Sequence, residues 1–409
     1  MNPAVAFTGF AAGGLAALLQ MSGALKTTPL LDALPFDVTL ASLALLLPLL
    51  ALLLATRRWT LDPALAVPLA AAGLLWLWLV IAGSWSASRL VLEDKLPEVA
   101  LLAPLMLAAG LLVGAEDRAR QALCRCCLGI GLLLAAIVAW GASAGWAALA
   151  EDLVRTRVHH QLAGLALATS AALAAVAAVE ARGWPARVGC WLAVLALAGA
   201  ALLPGGRTAL AALLAGVALA PALRLRGTAG LAWVLAVAAG LLAAGAWLLL
   251  HPDLADGLRT LERLTAEPAG LEARQALWAE ALHWGGEAAP FGLGTGGFGI
   301  AAGHGEWRGR YPHNHALEVL AEAGLPGLLL WLGSFGGAAL VMWRRAGAVS
   351  PARLARILAL VLPVAMTIMV STDLGNRMAW FALGLALSLG VSARLPHSVP
   401  VRVGAPRHV

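Results

Sequence analysis

Residues 38–55 pass without one charged side chain, and eleven further apolar runs of 16 to 20 residues punctuate the chain, at 5–21, 65–83, 96–114, 127–146, 162–179, 188–203, 208–223, 231–250, 325–342, 354–370 and 374–391. A helix needs about 20 mainly apolar residues to cross the roughly 30 Å hydrocarbon core of a bilayer. The runs therefore predict an all-α polytopic integral membrane protein with about twelve transmembrane helices. Two of them, 188–203 and 208–223, are at the short end of the spanning range and meet at Pro204-Gly205-Gly206, so either is open to a tilted or re-entrant path. Composition agrees, since 61% hydrophobic and 12% charged residues leave too little polar surface for a water-soluble domain. The same figures exclude disorder. The basic residues stand in ones and twos between apolar runs, which argues against a nucleic-acid partner.

Met1 to Phe10 contains no Lys or Arg, so the first run lacks the charged n-region of a cleavable signal peptide and is expected to remain in the protein. Cys124, Cys126, Cys127 and Cys190 have no second thiol pair or His pair at zinc-ligand spacing and read as helix thiols. Sixteen of the 28 basic residues fall on alternate connections and in the C-terminal tail, against seven in the short opposite connections and five in one long loop. The positive-inside rule then places both termini in the cytoplasm. The expected divisions are a helical region over 1–250, an outward, periplasmic loop over 251–314, an outer-face helix with the last spans over 315–394, and a tail over 395–409.

The long loop stands apart in composition, with Arg259, Arg263, Arg274, Arg308 and Arg310, four of the nine histidines, and a Gly-rich stretch. At its end, Pro312 favours a helix start and Gly324 with Pro326 its end, which sets His313 and Asn314 at the first turn of a short helix. Such an N-terminus favours anions. His313 and His315 are two apart, about 200° around a helix, so they do not converge on one small ligand, and a His-x-His metal site is disfavoured. The bland reading of the pair is two interfacial histidines at a helix cap. Gly292-Leu-Gly294-Thr-Gly296-Gly297 is a formal dinucleotide fingerprint with no strand before it and no βαβ unit around it. Its expected role is a tight backbone path, under a bulky ligand or flat on helix ends.

Arg207 opens a membrane helix, where a guanidinium either snorkels to headgroups or meets a fixed anion. Arg274 begins an amphipathic stretch whose plain reading is a solvated helix face. Arg155 and Arg157, beside His159 and His160, form a third outer-face patch. Three such patches around one loop suit a doubly charged anion, and the planar fork of Arg binds two phosphate oxygens at once.

At this point the chain resembles the O-antigen ligase and polymerase family of bacterial inner-membrane proteins. His313-Asn314 is followed by nine residues and then Gly324-x-x-Gly327, the ligase-type pattern; Arg207-Thr208 opens a helix; and Arg274-x-x-x-Trp278 precedes Pro290-x-Gly292-x-Gly294. The resemblance implies a metal-independent inverting glycosyltransferase, without other cofactor, that moves O-antigen polysaccharide from undecaprenyl pyrophosphate to a sugar hydroxyl of the lipid A-core within the membrane lipids. It implies His313 as general base, with Arg207 and Arg274 neutralising the departing pyrophosphate and Asn314, His315, Arg155 and Arg157 as further substrate-binding residues. His315 lies outside the invariant part of the pattern and is the alternative base.

An O-antigen polymerase, or a ligase that glycosylates protein, would use the same donor and differ in acceptor. A transporter of lipid-linked saccharides would call for ionisable residues near mid-membrane and inverted repeats, neither of which the sequence displays. A scaffold of envelope assembly would tolerate loss of His313.

Overall fold

The computed structural model describes residues 3–26, 28, 34–143, 159–251, 253, 258–266 and 269–394. Apolar side chains facing every direction around a helix are stable only against other helices or lipid, and the chain accordingly folds as a helical bundle. Its first half runs α1 (Pro3–Lys26), α2 (Val38–Thr56), β1 (Arg58–Leu61), α3 (Ala66–Ala82), α4 (Arg89–Pro97), α5 (Ala103–Ala115), α6 (Asp117–Ser143), α7 (His159–Glu180), α8 (Trp184–Ala201) and α9 (Arg207–Leu225). Next come α10 (Gly227–Leu250), the short α11 (Arg259–Ala266), α12 (Ala269–Glu287) and α13 (Phe298–Ala301), then α14 (His315–Trp331), α15 (Gly337–Arg345), α16 (Pro351–Ile368), α17 (Arg377–Leu387) and β2 (Val391–Arg394).

Among the described residues, eleven helices are long and apolar enough to cross a membrane. They confirm the all-α polytopic class. The twelfth expected run is shorter than its apolar count suggested, because Asn376 caps α17 and residues 371–376 form a turn, leaving only Arg377–Gly390 helical. The two short runs of the sequence are 18- and 19-residue helices, α8 and α9, each with a rise of about 27 Å or more. α4 and α5 join through a π turn at Glu98–Leu102 into one helix, Arg89–Ala115. A second π turn, Leu332–Gly336, joins α14 to α15.

The core is built on small residues. α7, rich in Ala, is the most enclosed of the eleven long spans and packs against α1, α6, α8, α9 and α16. Where α5 crosses α17, Gly110 and Gly384 face each other's helices so closely that a Cβ would lie 2.2 Å from the Phe381 and Leu107 carbonyl oxygens, respectively. This is the close backbone approach that small residues permit between membrane helices. Beside it stand Trp380, Phe381 and Leu385, all buried. The only sheet among the described residues is the two-stranded antiparallel ribbon of β1 and β2, with Arg58 opposite Arg394 and Leu61 opposite Val391. It ties the start of α3 to the end of the last helix.

Candidate functional site

Three arginines meet at one end of the bundle. Gly206 caps α9, so Arg207 stands at the first position of that helix. The short α11 docks across the preceding turn: Thr260 N–H donates to the Leu202 carbonyl (2.9 Å), its hydroxyl donates to the Ala201 carbonyl (3.2 Å), and Gly205 N–H donates to that hydroxyl (3.1 Å). Arg263, one turn on, donates to the Gly205 carbonyl (3.2 Å), while Arg207 donates to the Arg263 carbonyl (3.3 Å). α12 brings the third cation. Its inner face packs Leu277 and Ala281 against Phe298 and Ala321, which turns Arg274 inward from the solvated face its amphipathic pattern suggested.

Arg207, Arg263 and Arg274 line a cavity of about 60 Å³ with Gln161, Gly205, Thr208, Thr367 and Ser371, and no carboxylate is among its lining residues. Burial and the charge of Arg207 hold the Arg274 guanidinium below its ordinary pKa. Like charges brought together at a half-buried surface are unfavourable unless an anion joins them.

His313 stands beside this cavity. Its backbone is in the left-handed region (φ 54°), its ring lies 4.0 Å from that of Tyr311, and its Nδ1 is buried without a hydrogen-bond partner. Burial and the nearby Arg274, with a smaller push from Arg310, depress its pKa to about 4, against the opposing Asp373 carboxylate and Ser371 backbone. The ring is therefore neutral at pH 7, with a lone pair available. Tyr311 donates its hydroxyl proton to the Ser371 carbonyl (3.1 Å), so the loop bearing His313 is moored to the turn after α16.

The neighbours of His313 have other partners. Asn314 caps α14, its Oδ1 accepting from Ala316 N–H and Leu317 N–H at 3.1 Å each. His315 is wholly buried, its Nδ1 accepting from Trp331 Nε1 (2.9 Å) with Phe335 against the ring. His313, with its left-handed backbone, precedes the Asn314 cap and stands outside the helix, whereas His315 is its first residue and packs on Trp331 and Phe335. Arg155 and Arg157 lie outside the described residues.

The Gly-rich segment is a backbone splice. α14 breaks at Gly324 (φ 65°, ψ −161°), and the loop lies across the break. Leu293 N–H donates to the Ala321 carbonyl (2.9 Å), Gly294 N–H to the Glu322 carbonyl (2.8 Å), and Leu325 N–H to the Pro290 carbonyl (2.9 Å). Carbonyls that a broken helix would leave unpaired are thereby satisfied. The flat path on helix ends expected from the glycines is what they form.

An ion network near the site, buried at Lys95 and partly exposed at Arg308, has no counterpart in the sequence motifs. Lys95 of α4 donates to both Glu318 and Glu322 of α14, the latter at 2.7 Å, and Glu318 also accepts Leu374 N–H (3.0 Å). Arg308 pairs with Glu98 in the π turn and with Asp373 (3.1 Å). Ion-pair partners 65 to 227 residues apart leave no local pattern. The available signals were the rarity of Lys, at positions 26 and 95 alone, and two Glu at i and i+4 on an otherwise apolar helix.

Residues 192–332, about a third of the chain, match the family model described as O-antigen ligase. The match makes this stretch similar to that family, and the long apolar helices around it make the chain a multi-pass membrane protein. Arg207, Arg263, Arg274, His313, Gly324 and Gly327 all fall inside it. No curated protein compared with the chain matches it.

Proposed function

We propose that this chain belongs to the O-antigen ligase family and transfers polysaccharide from undecaprenyl pyrophosphate to a sugar hydroxyl of the lipid A-core, with inversion at the anomeric carbon. The observation that carries the reading is the convergence of Arg207, Arg263 and Arg274 on a cavity without a carboxylate, next to a neutral His313. Departure of the pyrophosphate develops negative charge, and fixed guanidinium groups in a partly dehydrated cavity stabilise it without reorganising. Here they supply the neutralisation that a divalent cation supplies elsewhere.

His313 takes the proton of the acceptor hydroxyl as the oxygen attacks. An imidazole of pKa about 4 is a weak base, but the bound diphosphate offsets Arg274 and raises it, so basicity and donor occupancy are coupled. We assign the site to the periplasmic face of the inner membrane, with both termini cytoplasmic, in line with the Arg-rich alternate connections.

The test is reconstitution with lipid-linked donor and core acceptor, in the presence of a chelator. Near-complete loss in His313→Ala and Arg207→Ala, with folded protein and unaltered wild-type activity, is expected. Full activity in His313→Ala, or wild-type activity abolished by chelator and restored by metal, would overturn the mechanism. Product made only by joining one lipid-linked repeat to another would make the enzyme a polymerase.

A further inference from the structure

α16 begins at a second cavity and ends at the first. From Arg353 to Thr367 the helix rises about 21 Å, so the two cavities are at opposite ends of the bundle. The second has a volume of about 470 Å³ and is lined by Arg120, Arg345, Arg353 and Arg356, with Asp117 and Ser350 among its polar neighbours. Its cations outnumber their partners. Arg345 pairs with Asp62, Arg120 with Asp117, and Arg356 with Glu180, which Arg224 also occupies at 3.1 Å.

Arg353 makes no ion pair among the described residues. It donates only to the Ser388 (2.6 Å) and Val391 (3.0 Å) carbonyls, and its Nε is buried without an acceptor. Arg120, 95% buried, likewise has a buried Nε with no acceptor. Two guanidinium groups with an unfilled Nε donor each, in the wall of a polar cavity, suit an acceptor with several oxygens, and the N-terminus of α16 at Ser350 adds to the same field. Arg345 and Arg356 keep 30% and 29% of their side chains exposed, which leaves the cavity open at the helix ends.

We propose that this cavity binds a phosphate group, gripped by Arg353 and Arg120, of the kind carried by an anionic lipid headgroup or by free phosphate. The protein would then hold phosphate chemistry at both ends, one site for a reacting donor and one for a resident anion.

The test measures binding and thermal stability of purified protein in phosphatidylcholine nanodiscs, with and without phosphatidylglycerol, and separately with inorganic phosphate. Wild type is expected to retain phosphatidylglycerol in native mass spectra and to melt at higher temperature with it. Arg353→Gln should weaken that affinity about tenfold, the equivalent of one charge-assisted hydrogen bond. Ala352→Glu leaves every arginine in place and puts a competing carboxylate into the cavity; it should do the same, which keeps the test valid if Arg353→Gln misfolds. A response to phosphatidylglycerol alone identifies a headgroup, and an equal response to inorganic phosphate identifies the free ion. Equal behaviour of wild type and both variants toward phosphatidylglycerol, with no response to phosphate, overturns the proposal.

Discussion

Gly292 and Gly324 lie back to back: a Cβ on Gly292 would come within 2.5 Å of Gly324 N, and one on Gly324 within 2.0 Å of the Pro290 carbonyl oxygen. Both residues also have positive φ, 80° and 65°. Gly292→Ala or Gly324→Ala should therefore cost on the order of 2 kcal/mol or more, combining left-handed strain with a backbone clash. Thermal unfolding of the solubilised protein checks this, with a clear drop in midpoint expected for each.

Arg274 carries its charge close to Arg207, and removing one preorganised donor from a site of developing anion charge typically costs about 10²- to 10³-fold in rate. Arg274→Ala and Arg263→Ala should lose transfer by that order while remaining folded, and Arg274→Lys should recover only part, since Lys lacks the planar fork. Initial rates at saturating donor measure the effect. Wild-type rates in Arg263→Ala would remove that residue from the site.

The pH dependence has a defined sign. His313 has its folded pKa lowered to about 4 from 6.5, so the unfolded chain binds the proton first as pH falls. The neutral ring costs nothing above about pH 6.5, and stability is lost progressively between there and about pH 4. In kinetics, the acidic limb of kcat/KM, which reports the free enzyme, should lie well below pH 6.5, and the limb of kcat at higher pH, because bound diphosphate raises the imidazole. Coincident limbs near 6.5 would contradict the burial of His313.

His315 offers an internal control. Its replacement by Asn removes the acceptor of Trp331 Nε1 and should lower stability by about 1–3 kcal/mol. The rate should fall far less than in His313→Ala. A complete loss of transfer in folded His315→Asn would make His315 the base.

Lys95 neutralises two buried carboxylates, and Lys95→Met leaves Glu318 and Glu322 facing each other without a cation. Breaking a buried pair costs about 3–5 kcal/mol, so poor folding is expected. Lys95→Met with Glu318→Gln and Glu322→Gln should recover part of the loss, measured by yield and melting temperature.

The fold class was legible because hydrocarbon imposes one rule on every span, and apolar run length reports it directly. The boundaries were less so. Leu374 is apolar and buried but belongs to a turn, since Glu318 takes its N–H and Asn376 restarts the helix. At the site, His313, Arg207 and Arg274 stand in local motifs and could be read singly. Arg263 could not, because its place depends on Thr260 docking across a turn some 55 residues earlier. Asn314 looked like a ligand-binding amide, whereas its oxygen is committed to capping.

The turn at 371–374 receives the Tyr311 hydroxyl through Ser371, Arg308 through Asp373 and Glu318 through Leu374. The His313 imidazole is therefore hung from a segment that lies farther along the chain than the motif it belongs to. Whatever tilts the last two helices, whether bilayer thickness, a fused domain or a neighbouring protein, will be transmitted as a shift in the aim of His313.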